Sequence, residues 1–333
     1  MNSLFKSKTM SLLNLSDTQF NELYLQRPFR GIRINPLKSN LDTVQSGFDF
    51  KLEQTPFFKN SYYIPKDFEG IGNSALHHAG AFYVQEPSAS SVITVVDAKP
   101  GQKILDLCAA PGGKSTGIAA ALCGEGLIWS NEYVRKRALA LLSNIERMGI
   151  KNAVISSLSA DYLCQSLEGF FDTVLVDAPC SGEGMFRKEP IAVSEWSVEN
   201  VLKCAERQRE ILENAVKCLK DGGYIVYSTC TFSLEENEMV VDEFLNTHPE
   251  FSIVPVKEAV RASTEDGIVF DGAKCQDLHL ARRFYPHKHK GEGQFMAVLH
   301  NKYESSSSYP AVKTPQEKID KTVYDFLGSV LTD

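Results

Sequence analysis

A doubly wound α/β fold is predicted for this chain by three observations. From residue 103 onward, short apolar runs alternate with helix-length segments, the rhythm of right-handed βαβ units. One run, Phe171-Asp-Thr-Val-Leu-Val-Asp177, is almost continuously apolar, as expected of a central parallel strand covered on both faces. Two runs carry a cysteine just past their ends, Cys180 in Asp177-Ala-Pro-Cys-Ser-Gly182 and Cys230 in Ser228-Thr-Cys230. In open α/β sheets, chemistry sits outside the carboxyl ends of the strands. Paired thiols there, without metal-ligand spacing, point to covalent catalysis on an electrophilic substrate.

The elements follow in order. Residues 1 to 75 carry short helical and turn signals, the mark of a small N-terminal α+β region. Ser16-Asp-Thr-Gln19 is a capping-box signature opening a helix that stops before Pro28. Arg30-Gly-Ile-Arg-Ile-Asn-Pro36 reads as a short alternating strand ended by proline. Tyr62-Tyr63-Ile64 is apolar and reads as packing rather than base stacking. Strands are expected over 103–108, 126–132, 152–157, 171–177 and 224–229, with helices over 115–122, 135–148 and 199–220. The last helix is expected to end at a glycine cap, Asp221-Gly222-Gly223. Ser233-Leu-Glu-Glu236 reads as the capping box of another helix, and 294–300 as a late strand. The boundaries are therefore 1–82 for an N-terminal domain, 83–302 for the main domain, and 303–333 for a linker with a short helix over 316–331.

Composition bounds the function. Hydrophobic residues make up 43% and charged residues 23% of 333, an ordinary globular balance. No apolar run approaches the ~20 residues of a membrane span, and the N-terminus lacks a signal-peptide h-region. Eight cysteines without a Cys-x-x-Cys pair argue for free thiols in a reducing cytoplasm. His287-Lys-His289 has no further ligands at useful spacing and reads as a basic loop rather than a metal site. The net charge of −7 is awkward for a nucleic-acid enzyme. Basic clusters nevertheless occur at Arg27, Arg30, Arg33 and Lys38, at Arg135-Lys136-Arg137, at Arg187-Lys188, and from Arg282-Arg283 to Lys290. Each alone reads equally as a solvated face; four flanking one cleft would be a footprint.

The first strand-turn-helix contains Asp106-Leu-Cys-Ala-Ala-Pro-Gly-Gly-Lys-Ser115. Small residues there let the backbone approach a ligand, and the helix N-terminus attracts negative charge. A phosphate-binding P-loop needs an earlier glycine where Cys108 stands, which disfavours an ATPase. A nucleoside cofactor fits better. Glu132 follows Gly113 at close to the ~20-residue offset of a carboxylate that holds ribose. Asp161, after the third strand, is a candidate for an exocyclic amine. Lys114 is placed to favour a nearby thiolate. Cys108, Cys123, Cys164, Cys204, Cys218 and Cys275 read as structural thiols.

Taken together these residues resemble the NOL1/NOP2/Sun family of RNA cytosine-5 methyltransferases. The matching stretches are Tyr83-Val-Gln-Glu-Pro-Ser-Ala-Ser90, the run from Asp106 to Ser115, Asp177-Ala-Pro-Cys-Ser-Gly182, Ser228-Thr-Cys230 followed by Glu235-Glu-Asn-Glu238, and Arg282-Arg-Phe-Tyr-Pro-His287 with Gly291-Glu-Gly-Gln-Phe295. The N-terminal segment and the last motif look most like the bacterial ribosomal small-subunit methyltransferase F branch, which acts on 16S rRNA. The resemblance implies a mostly parallel, seven-stranded Rossmann-like methyltransferase sheet, S-adenosylmethionine as cofactor, an RNA partner recognised in part by residues 1–82, no metal, no membrane, and a monomer. It implies that Cys108, Ala109, Ala110, Pro111, Gly112, Gly113 and Lys114 line the methionine and ribose side of the cofactor. Glu132 would hold the ribose, Asp161 the adenine, and Asp177 would lie between cofactor and base. Cys230 corresponds to the nucleophile that adds to cytosine C6, Cys180 to the cysteine that assists release, and Asp177 and Lys114 to groups that orient the base.

The residues alone leave the roles of the two thiols open, because Pro179-Cys180 also looks like the nucleophile motif of DNA cytosine-5 methyltransferases. Such enzymes commonly carry a further RNA-binding domain, for which residues 303–333 leave no room, so the chain is read as either a short member or a truncated one. A tRNA substrate and a non-catalytic RNA-binding assembly factor are the competing readings; intact Cys180, Cys230, Asp177 and Lys114 argue against the second.

Overall fold

The near-continuous apolar runs assemble into one twisted sheet. The computed structural model describes residues 2–303, which belong to one compact unit. Among the described residues thirteen strands follow one another along the chain: β1 (Arg30–Ile34), β2 (Glu53–Gln54), β3 (Ser61–Ile64), β4 (Phe82–Val84), β5 (Lys103–Asp106), β6 (Leu127–Asn131), β7 (Ala153–Ser156), β8 (Phe171–Asp177), β9 (Leu219–Thr229), β10 (Phe251–Val254), β11 (Glu265–Asp266), β12 (Arg282–Phe284) and β13 (Gln294–Asn301). β7, β6, β5, β8 and β9 lie side by side and parallel, and β13 joins β9 antiparallel. The outer edge of β13 is shared. Its first half pairs with β12 and its second half with β10. The order β7-β6-β5-β8-β9-β13-β10 is the seven-stranded, mostly parallel sheet that the resemblance implied; the short β12 and β11 raise the total to nine.

Side-chain alternation explains why helices cover both faces. Val174 and Val176 of β8 and Ile225 and Tyr227 of β9 point into one apolar cluster. Leu175 and Val226 between them point into another with Ile104, Ile128 and Met296. The first face is covered by helices including Val198–Cys218, the second by helices including Pro87–Val96 and Gly113–Ala121. β5 is the strand from which the chain first runs outward through β6 to β7 and then returns to the other side at β8. Its carboxyl end is thus the switch point where a crevice opens.

The N-terminal region forms a second sheet, β2-β3-β1-β4. Ile32 and Ile34 of β1 pack with Tyr62, Ile64 and Phe82 on one side, so Tyr62 and Ile64 serve packing as expected, while Tyr63 lies under Lys290 instead. The helix Asp17–Leu25 starts with both reciprocal bonds of the Ser16 and Gln19 capping box and ends before Pro28. Among the described residues no helix is long and apolar enough to cross a membrane.

Two expected caps differ. The helix Val198–Cys218 ends with Leu219 already extended, not at a glycine. Phe171 pairs with Leu219 but Thr173 pairs with Tyr224, so residues 220–223 bulge out of the ladder. Gly222, at φ +70°, takes the turn within that bulge. Ser233 and Glu236 do not form a capping box either. Leu234–Glu236 is a 3-10 turn without a side-chain cap, because both polar groups are engaged elsewhere. The expected helix over 316–331 lies outside the described residues.

Candidate active site

The ends of β5, β8 and β9 bring the chemistry-bearing side chains to one edge. β8 and β9 are parallel and pair Asp177 with Ser228, so the residues just beyond them, Cys180 and Cys230, emerge side by side. Their sulfurs are 3.3 Å apart. Gly184 N–H closes the turn by donating to Cys230 O at 2.9 Å, and a Cβ on Gly184 would sit only 2.9 Å from that oxygen. A side chain there would push the two loops apart.

Lys114, in the first turn of the helix Gly113–Ala121, reaches Asp177 with Nζ 2.6 Å from Oδ2. Ser228 Oγ donates to the other oxygen, Oδ1, at 2.7 Å. Burial alone would depress the Lys114 ammonium, but the Asp177 carboxylate more than offsets this and holds it above its ordinary range; Cys230 acts in the same direction. The cation is therefore fixed against Asp177. The Cys180 thiol is pushed well up by its contact with the Cys230 sulfur and then by burial, and either sulfur can donate to the other. Burial also pushes up the Cys108 thiol, reinforced by the Asp106, Asp177 and Glu132 carboxylates.

The loop from Cys108 to Lys114 wraps around the end of β5. Gly112 adopts φ +105°, a conformation glycine tolerates without strain. Asp106 is 1% exposed, accepts from Ser115 Oγ at 2.6 Å through Oδ2, and has no hydrogen-bond partner at Oδ1. Its carboxyl is pushed up to about 7 by burial. Glu132, past the end of β6, is buried; its Oε1 accepts from Val134 N–H at 2.8 Å, and Arg137 lies 3.2 Å from Oε2. The structure thus gathers Cys108 to Lys114, Glu132, Asp177, Cys180 and Cys230 along one edge. Asp161 lies in the first turn of the helix Ala160–Ser166, which follows β7, and is exposed, with Oδ1 accepting from Gln165 at 2.5 Å and Lys217 at 3.2 Å.

The basic clusters are not one surface. Arg33, Arg282 and Arg283 are buried, and the Arg187 side chain is 3% exposed against Glu292. Arg27, Lys38, Arg135, Lys136 and Arg137 remain exposed. Two polar residues that sequence reasoning passed over also bear on the site. Gln208, buried on the long helix, donates to Pro179 O and to Glu236, each at 3.0 Å. Glu183 accepts from Trp196 Nε1 and Ser233 Oγ at 2.8 Å and from Phe232 N–H at 2.9 Å. The signal for Gln208 is a lone amide on the apolar stripe of an amphipathic helix.

This sheet, with its glycine turn after β5 and its acids at the switch point, defines the protein as one with a Rossmann-like methyltransferase fold. A methyltransferase homolog protein from Pyrococcus horikoshii superposes with a TM-score of 0.78 over 90% of this chain and 95% of its own, at 26% identity. NSun6 from the same organism, solved with SFG, shares the fold at a TM-score of 0.74 and 22% identity, over 90% of this chain and 97% of its own. Residues 93–300 match the family model of the 16S rRNA methyltransferase RsmB/F, and the chain belongs to that family. Residues 1–87 match the N-terminal domain of 16S rRNA methyltransferase RsmF. Ribosomal RNA small subunit methyltransferase F of Serratia proteamaculans is 35% identical over 309 residues, and that of Vibrio vulnificus 36% over 306. Each alignment covers 89% of this chain, and the chain spans 61% and 62% of the length of these two relatives.

Proposed function

We propose that this chain methylates C5 of a cytosine in 16S rRNA, using S-adenosylmethionine, with Cys230 as nucleophile and Cys180 assisting release. The observation that carries this reading is the 3.3 Å thiol pair beside the Lys114–Asp177 ion pair at the switch point of the sheet. The names of the relatives support the rRNA substrate.

The edge fits the cofactor. A buried carboxylate oxygen without a partner, Asp106 Oδ1, suits an ammonium group, and the Cys108–Gly113 turn offers small residues at a helix N-terminus. Cys108 to Lys114 would line the methionine and ribose side, Glu132 would take the ribose hydroxyls, Asp161 the adenine, and Asp177 the space between cofactor and base. S-adenosylmethionine would supply a methyl group made electrophilic by its sulfonium.

The chain's own residues do the rest. The Cys230 thiolate donates an electron pair to cytosine C6, a bond that forms as the C5=C6 π pair shifts toward C5. Lys114 stabilises the attacking anion, and Asp177, held by Lys114 and Ser228, presents a fixed carboxylate to the base. The Cys180 sulfur, 3.3 Å from Cys230, is in reach to donate a hydrogen bond to it. Once C5 carries the methyl group, its proton leaves to a base, the C5=C6 bond reforms and the Cys230–C6 bond breaks. Cys180 then steadies the departing thiolate.

Residues 1–82 are assigned to RNA recognition and 83–302 to the reaction, supported by the separate N-terminal sheet and by the boundary between the two family models. The target base must leave its stack to reach the thiols. Bisulfite sequencing of RNA from a deletion strain, with and without the restored gene, tests the reading. One 16S cytosine should become convertible on deletion and be protected again on restoration. Protection confined to tRNA, or none at all, overturns the substrate.

A further inference from the structure

The two loops that carry the thiols are joined beneath them by one buried carboxylate. Glu236 is 0% exposed. Its Oε2 accepts from Ser181 N–H at 2.9 Å and from Gln208 Nε2 at 3.0 Å. Its Oε1 accepts from Ser181 Oγ and, at 3.4 Å, from Thr231 Oγ1, while those two hydroxyls meet each other at 2.9 Å. Ser181 follows Cys180 and Thr231 follows Cys230, so each thiol-bearing loop is held one residue beyond its cysteine. Gln208 extends the grip by donating to Pro179 O, one residue before Cys180.

The donor set of this contact sets it, with Glu183, apart from the other buried glutamates. Glu238 and Glu292 are also buried, but each faces an arginine. The donors to Glu236 are neutral, and a buried carboxylate without a cation is expensive to keep. Burial pushes its carboxyl up to about 7 even with the Ser181 and Gln208 bonds opposing the shift. Packing alone would be served as well by an apolar side chain. What a carboxylate adds is four acceptor sites in a fixed plane, enough to tie both loops at once.

We propose that Glu236 is a positioning residue that sets the distance between the Cys180 and Cys230 thiols. The inference rests on the reading that both thiols act on the substrate, but the spacing can be read without any substrate. Phenylarsine oxide condenses with two neighbouring thiols, forming two As–S bonds with loss of water, and its affinity depends on the second thiol being within reach. A Cys218→Ala background removes the other close pair, Cys164 and Cys218, whose sulfurs are 3.2 Å apart. In that background Glu236→Gln should weaken arsenical binding by about tenfold or more, since the chelate advantage is lost when the geometry is. In the methylation assay the same variant should lose about 100-fold in kcat with KM for S-adenosylmethionine unchanged, the signature of misplaced reacting groups. Wild-type arsenical affinity in a folded Glu236→Gln protein overturns the proposal, whatever happens to activity. If that variant does not fold, Ser181→Ala with Thr231→Val removes both hydroxyl contacts and detaches the Cys230 loop from the carboxylate, while Ser181 N–H still ties the Cys180 loop to it; it should weaken arsenical binding likewise, and wild-type affinity there overturns the proposal equally. Should the unmutated chain methylate nothing, the functional reading falls while the arsenical comparison still decides the role of Glu236.

Discussion

Arg33 Nη2 donates to Thr116 Oγ1 at 2.6 Å, linking the N-terminal sheet to the helix that follows the proposed cofactor turn. The same nitrogen donates to Gly113 O at 3.1 Å, and Nε donates to Gln85 Oε1 at 3.0 Å. The guanidinium is 1% exposed, and burial pushes it down to about 10. Arg33→Met should leave Gln85 Oε1 and Thr116 Oγ1 without this buried donor, at about 1–3 kcal/mol. The turn at Gly112 and Gly113 would lose its brace, so affinity for S-adenosylhomocysteine should fall by about tenfold. Calorimetry on the folded variant checks this; an unchanged dissociation constant would show that the N-terminal sheet does not support the turn.

The asymmetry between the thiols makes a second expectation. In the proposed reaction Cys230 attacks and the adjacent Cys180 assists release, so removing Cys180 should spare attack but hinder release. Cys180→Ala should accumulate a covalent protein–RNA species that survives denaturing electrophoresis. Cys230→Ala and the double variant should form none. A stable adduct in Cys230→Ala, with none in Cys180→Ala, would reverse the assignment.

What the sequence disclosed and what it hid have a common physical basis. Local patterns were legible. The apolar run of β8, the capping box at Ser16 and the small residues between Asp106 and Ser115 each reflect neighbours in the chain. Long-range pairing was not. Arg33, Arg187, Arg282 and Arg283 looked like surface charge, yet they are turned inward by partners far away in sequence, such as Glu292 for Arg187 and Glu238 for Arg283. Gly222 looked like a helix cap because glycine serves a cap and a bulge equally well, and the pairing of β8 with β9 decides between them. Ser233 and Glu236 have the spacing of a capping box, but Glu183 and Ser181 claim their polar atoms first.

The buried pair of Arg283 and Glu238 yields a stability prediction. Arg283 Nε donates to Glu238 Oε1 at 2.6 Å, both side chains are essentially inaccessible, and Arg283 also donates to Phe232 O at 2.9 Å. Arg283→Met strands the carboxylate and should destabilise the fold by about 3–5 kcal/mol in urea titrations. Adding Glu238→Leu removes the stranded charge and should recover most of the loss. If the double variant is no more stable than the single one, the ion pair is not what the site needs; the hydrogen bonds of Arg283 to the backbone, and of Glu238 to Ile268 N–H, would then carry the stability.

Asp106 links the proposed cofactor edge to pH. Burial raises its carboxyl from 3.8 to about 7 in the folded chain, with the Ser115 hydrogen bond acting against the shift. The folded state therefore binds a proton more tightly than the unfolded state. Below the unfolded value both states are protonated and the buried group costs nothing on this account. As pH rises from about 4 to about 7, the unfolded chain ionises first and stability is lost; above that range the full penalty stands, about 4 kcal/mol at most. Asp106→Asn abolishes this titration while leaving an acceptor for Ser115 Oγ. Urea unfolding without ligand, at about pH 5 and about pH 7.5, should show the stability of the variant relative to wild type rising with pH. Parallel pH profiles would mean that Asp106 is already ionised at neutral pH, stabilised by Lys114 across the ion pair with Asp177.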